Sequence, residues 1–94
     1  MPEDHEPDLI RLSLPADPDL RGVVEVVAAV LARRLRFGDD SVATARAAAG
    51  TAFDEVASDG QGPVEVEVEV LETHLVLRLR AGGTTRSVTI PDGR

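Results

Sequence analysis

Residues 64–70 read Val-Glu-Val-Glu-Val-Glu-Val, and this stretch restricts the fold more than any other. Strict two-residue alternation makes a strand with valines on one face and glutamates on the other. Residues 75–80, Leu-Val-Leu-Arg-Leu-Arg, answer it. Pairing Val70 with Leu75 across a turn at 71–74 sets Val68 against Leu77 and Val66 against Leu79. The same register sets Glu67 against Arg78 and Glu65 against Arg80. Apolar and charge complementarity therefore select one antiparallel hairpin, and a slip of one residue would bury charge. A tight turn at Gly82-Gly83 then places Val88 opposite Leu77 and Ile90 opposite Leu75, with Thr85, Ser87 and Thr89 on the charged face.

The chain upstream supplies a covering layer. Residues 9–14 alternate, with Ile10, Leu12 and Leu14 on one side, and Pro15 ends that strand. Asp17-Pro18-Asp19 is a helix start: an N-cap, a proline in the first turn and an acidic residue near the positive end of the dipole. That helix is expected to reach about Arg36. Its apolar side is Val23, Val24, Val27, Val30, Leu31 and Leu35, and Val26 and Ala28 widen it enough for cover on more than one side. Gly38 is expected to close it in the left-handed conformation. Asp39 or Asp40 then caps a second helix over residues 40–57, striped with Val42, Ala45, Ala49, Phe53 and Val56. Its many alanines and Gly50 let it lie close to its neighbours. The short link makes the two helices antiparallel.

Every strand has one apolar face, so helices cover only one side of the sheet. The expectation is an α/β (α+β) two-layer sandwich, two antiparallel helices on one face of a mainly antiparallel four-stranded sheet, in the order β-α-α-β-β-β. Residues 1–7 read as a disordered acidic tail, residues 8–91 as a single domain and residues 92–94 as a second tail.

Composition narrows the function classes. There is no cysteine, so no disulfide or thiolate chemistry is available. The net charge is −7, and Glu3, Asp4, Glu6 and Asp8 carry four of those charges. An acidic chain is a poor match for nucleic acid or an anionic membrane. No apolar run approaches the roughly 20 residues of a membrane span, and the acidic start is unlike a secretory leader, so a cytoplasmic location is expected. All 10 basic residues are arginine. Lysine and asparagine are absent, a usage that suggests a GC-rich bacterial genome. The two histidines, His5 and His74, are too scattered for a metal site. Asp-Gly-x-Gly at 59–62 is turn chemistry before it is a phosphate loop.

This order of elements, with Leu12-Ser13-Leu14-Pro15-Ala16-Asp17-Pro18 opening the first helix, resembles the anti-sigma-factor serine kinases of the histidine-kinase-like (GHKL, Bergerat) ATPase superfamily. The resemblance spans residues 9–81, by pattern. In that family the second helix carries the N box, a catalytic glutamate and, four residues on, a magnesium-binding asparagine. Here Thr51 stands at the glutamate position and Glu55 at the asparagine position. The Asp-x-Gly-x-Gly that recognises adenine and opens the ATP lid corresponds to residues 79–84, Leu-Arg-Ala-Gly-Gly-Thr, where the aspartate is missing. The resemblance thus implies a degenerate relative without N box, adenine aspartate or lid. Thr51, Asp54, Glu55 and Asp59 are its vestigial nucleotide-site positions, with no catalytic residue, cofactor or metal expected.

The leading expectation is a non-catalytic regulatory or protein-interaction module. It would act in bacterial partner switching, with a sigma factor, an anti-sigma factor or an antagonist as partner, or as a homodimer. The alternatives are a divergent nucleotide-binding protein or serine kinase, and an unrelated small α/β binding or dimerisation domain.

Overall fold

The computed structural model describes residues 8–59 and 62–93. The expected acidic tail at 1–7 and the middle of the 59–62 turn lie outside the described residues. The elements are β1 (Asp8–Leu14), a 3₁₀ turn (Pro18–Leu20), α1 (Arg21–Arg34), α2 (Asp39–Asp59), β2 (Val64–Val70), β3 (His74–Ala81) and β4 (Thr84–Pro91). The strands form one sheet in the order β1-β2-β3-β4, antiparallel throughout, with both helices inserted between β1 and β2.

The hairpin registers follow from the side-chain patterns. Val70 pairs with Leu75, Val68 with Leu77, Val66 with Leu79, Glu67 with Arg78 and Glu65 with Arg80. Leu75 pairs with Ile90 and Leu77 with Val88. At the second turn Gly82 has φ +59° and Gly83 does not have positive φ, as a type II′ turn requires. Valines 64, 66 and 68, leucines 75, 77 and 79, and Ile90 are buried under the helices.

α2 is the centre of the core. Val42, Ala45, Ala49, Ala52, Phe53 and Val56 are all buried. α2 lies against α1 on one side and chiefly against β3 and β4 on the other. α1 stands further from the sheet, and its Leu31 and Leu35 face Ile10 and Val70 across a groove. Alanine keeps the helix backbones close, so the alanine side of α1 (Val24, Ala28, Ala29, Ala32) turns inward.

Four local expectations need correction. α1 ends at Arg34, not Arg36. Its left-handed terminator is Arg36, at φ +62°, rather than Gly38. The Phe37 N–H donates to the Ala32 carbonyl (3.0 Å) and the Arg36 N–H to that of Arg33 (2.9 Å), the pair of bonds that defines a Schellman ending. Asp39 and Asp40 lie inside the first turn of α2. Gly38 precedes them, its carbonyl accepting the Val42 N–H at 3.0 Å. Finally, Val23 and Val30, assigned to the apolar side of α1, are exposed, as is Val26.

The C-terminal residues are not loose where they are described. The Gly38 N–H donates to the Asp92 carbonyl (2.8 Å), and the Asp92 N–H donates to the Thr73 carbonyl (3.0 Å). Residues 92 and 93 thereby tie the helix–helix connection to the β2–β3 turn. Gly38 is glycine because a Cβ there would stand 2.8 Å from the Gly93 carbonyl oxygen.

Candidate functional site

Helical spacing places Thr51 and Glu55 one turn apart on the solvent side of α2. They flank a groove of about 540 Å³ between α2 and β4, floored by Ala48, Ala52 and Val88. Arg86 enters this groove from the sheet. Opposite Leu79 in the register, it lies in phase with Val88 and Ile90 on the helix-facing side of β4. Its Nε donates to the Glu55 carboxylate at 3.0 Å, and its Nη1 to the Thr85 carbonyl at 3.1 Å.

Asp54 turns the other way. Its carboxylate accepts from Nη1 of Arg21, at the start of α1. Arg21 also donates to Glu25, one turn on, at 2.9 Å. This cluster rests on Gly50, where a Cβ would collide with the Glu25 carboxylate and fall 2.6 Å from Arg21 Nε. The hydrogen bond to Glu25 raises the pKa of Arg21 and outweighs the opposing effect of burial, with the nearby charges of Asp54 and Glu25 adding smaller contributions in the same upward direction. Arg21 therefore stays cationic at any working pH. Asp59 closes α2. Of the four positions marked in the sequence, Thr51 and Glu55 share a groove, whereas Asp54 belongs to the α1–α2 interface.

The chemistry of the groove follows from these contacts. A threonine hydroxyl is no general base at neutral pH. The Glu55 carboxylate is already engaged by the Arg86 guanidinium, which competes with any cation for it. Among the described residues no three His, Asp or Glu side chains are grouped to hold a metal ion. Arg86 is the groove residue missed in the sequence. The signal was its even phase with Val88 and Ile90, which places a charge on the face otherwise read as apolar.

Two further surfaces are distinctive. The outer face of the sheet is a ladder of ion pairs. Arg11 meets Glu67 (3.1 Å), Arg78 meets Glu67 (3.3 Å) and Glu69 (3.1 Å), and Arg80 meets Glu65 (2.9 Å). Its charges satisfy one another across neighbouring strands. The outer face of α1 has the opposite character: Val23, Val26 and Val30 are 41%, 51% and 47% exposed at three- and four-residue spacing.

The chain matches no known family model and no curated protein. No helix among the described residues is long and apolar enough to cross a membrane.

Proposed function

We propose that this protein is a non-catalytic protein-interaction module that engages partners through the outer face of α1. The observation that carries this reading is the row of exposed valines. Three β-branched apolar side chains on one helix face are costly to leave in water, and a partner surface removes that cost. The groove between α2 and β4 supports the same reading from the other side, because Arg86 occupies Glu55, the carboxylate that lines it.

By resemblance to the anti-sigma-factor kinases, the partner class is a sigma factor, an anti-sigma factor or an antagonist, and the setting is the bacterial cytoplasm. The scaffold would be a degenerate GHKL ATPase that has lost nucleotide binding.

The test pairs two measurements. Immobilised wild-type chain should retain such a partner, and Val26→Arg should lose it while melting at the same temperature. Calorimetric titration with Mg-ADP and Mg-ATP should give no heat at millimolar nucleotide. Micromolar nucleotide binding abolished by Glu55→Ala would move the function into the groove and revive the kinase reading.

A further inference from the structure

The valine row continues into charge at both ends. One turn before Val23 stands Asp19 in the 3₁₀ turn, and one turn after Val30 stands Arg33; both are exposed. The stripe thus reads Asp19, Val23, Val26, Val30, Arg33, with three- and four-residue steps throughout. This is the a/d spacing of a helix–helix seam. The buried positions Val24, Ala28 and Ala32 fall on the opposite side of the same helix. α1 is therefore apolar on two opposed faces, one against its own core and one against solvent, a pattern of helices covered on both sides.

The order of the stripe is also symmetric. Asp19 lies seven residues before Val26 and Arg33 seven after it, while Val23 stands three before and Val30 four after, within one residue of the same symmetry. We infer that α1 pairs with α1 of a second copy, antiparallel, about a two-fold axis at Val26. This deepens the interaction reading above and rests on it, naming one partner of that face. In such an isologous contact Val26 meets its own equivalent. Val23 meets Val30 of the partner subunit, and Asp19 meets Arg33 of the partner subunit, twice over. A parallel pairing would instead set Asp19 against Asp19 and Arg33 against Arg33. Neither side chain forms an ion pair within the described residues of its own chain, so both are available. One four-turn helix per subunit makes a small interface, so a dimer in exchange with monomer is expected, one that another protein could displace.

Sedimentation equilibrium of the full chain over a wide concentration range tests this. The wild type should show a monomer–dimer equilibrium. Val26→Arg puts like charges on the axis and should weaken it at least about tenfold, with the melting of the monomer unchanged. Asp19→Arg should also weaken it, and adding Arg33→Asp should restore most of the loss, because the reversed pair still matches. A chain that stays monomeric throughout, or a dimer indifferent to Val26→Arg and the charge reversal, overturns the self-pairing. If that monomer still binds another protein through a surface that Val26→Arg destroys, the interaction reading survives alone. If Val26→Arg changes neither property, both fall.

Discussion

α1 and α2 are adjacent helices rich in alanine and valine, yet they dispose of their apolar side chains differently. α2 buries each apolar side chain larger than alanine: Val42, Phe53 and Val56. Its exposed positions are alanines, hydroxyl residues and charges. α1 buries Val24 with three alanines and leaves three other valines in solvent. Position explains this. α2 packs on both α1 and the sheet, so its apolar surface has partners on two sides. α1 packs chiefly on α2, through Val24 and small residues that bring the backbones together, and Val23, Val26 and Val30 are left outside. A second apolar face that the fold does not use is available for use between molecules.

The largest effect should separate the two helices outright. Phe53→Ala, at the centre of the α2 contact, should cost about 3–5 kcal/mol in urea denaturation. Val26→Ala should change monomer stability by no more than about 0.5 kcal/mol. Comparable losses at both positions would mean that the outer face of α1 is part of the fold.

The joint between the helices should come next. Gly38→Ala drives a Cβ against the Gly93 carbonyl, a backbone atom that can move only with its strand end. It should destabilise by about 1–3 kcal/mol and increase amide exchange at Gly38 and Asp92. Gly50 provides the contrast, because the nearest atoms its Cβ would meet belong to the movable side chains of Arg21 and Glu25. Helix propensity favours alanine by about 1 kcal/mol, and a part-exposed ion pair displaced in exchange is worth less. Gly50→Ala should therefore be neutral to stabilising, within about 1 kcal/mol, and loss of stability there would show that the Arg21 cluster fixes how the helices pack.

Arg36→Gly addresses the end of α1. A left-handed residue with a Cβ costs roughly 1–2 kcal/mol, and glycine's added freedom in the unfolded chain returns part of that. A gain of about 0.5–1 kcal/mol in thermal or chemical unfolding is expected.

The sheet was legible in the sequence because alternation and charge pairing both point to one register, and a wrong register would bury glutamates. α2 was legible because its stripe is narrow and consistent. α1 was not, because valines occupy both of its sides and periodicity alone cannot choose between them. Close packing against α2 makes that choice by favouring the side with Ala28, Ala29 and Ala32. The left-handed position was assigned to Gly38 on residue type. The structure uses Gly38 for a close backbone approach instead, and Arg36 takes the positive φ. At the candidate groove the sequence located Thr51 and Glu55. It did not show that Asp54 turns to Arg21 or that Arg86 reaches Glu55, since both contacts depend on how distant segments pack.

The central claim, that the working surface is the outer face of α1 and not the groove beside α2, is tested most directly by amide NMR of the wild-type chain across a dilution series. The account predicts concentration-dependent shifts at Val23, Val26, Val30 and Arg33, with Thr51, Glu55 and Arg86 unmoved. Shifts confined to the groove or to the outer face of the sheet, with α1 unchanged, would contradict it.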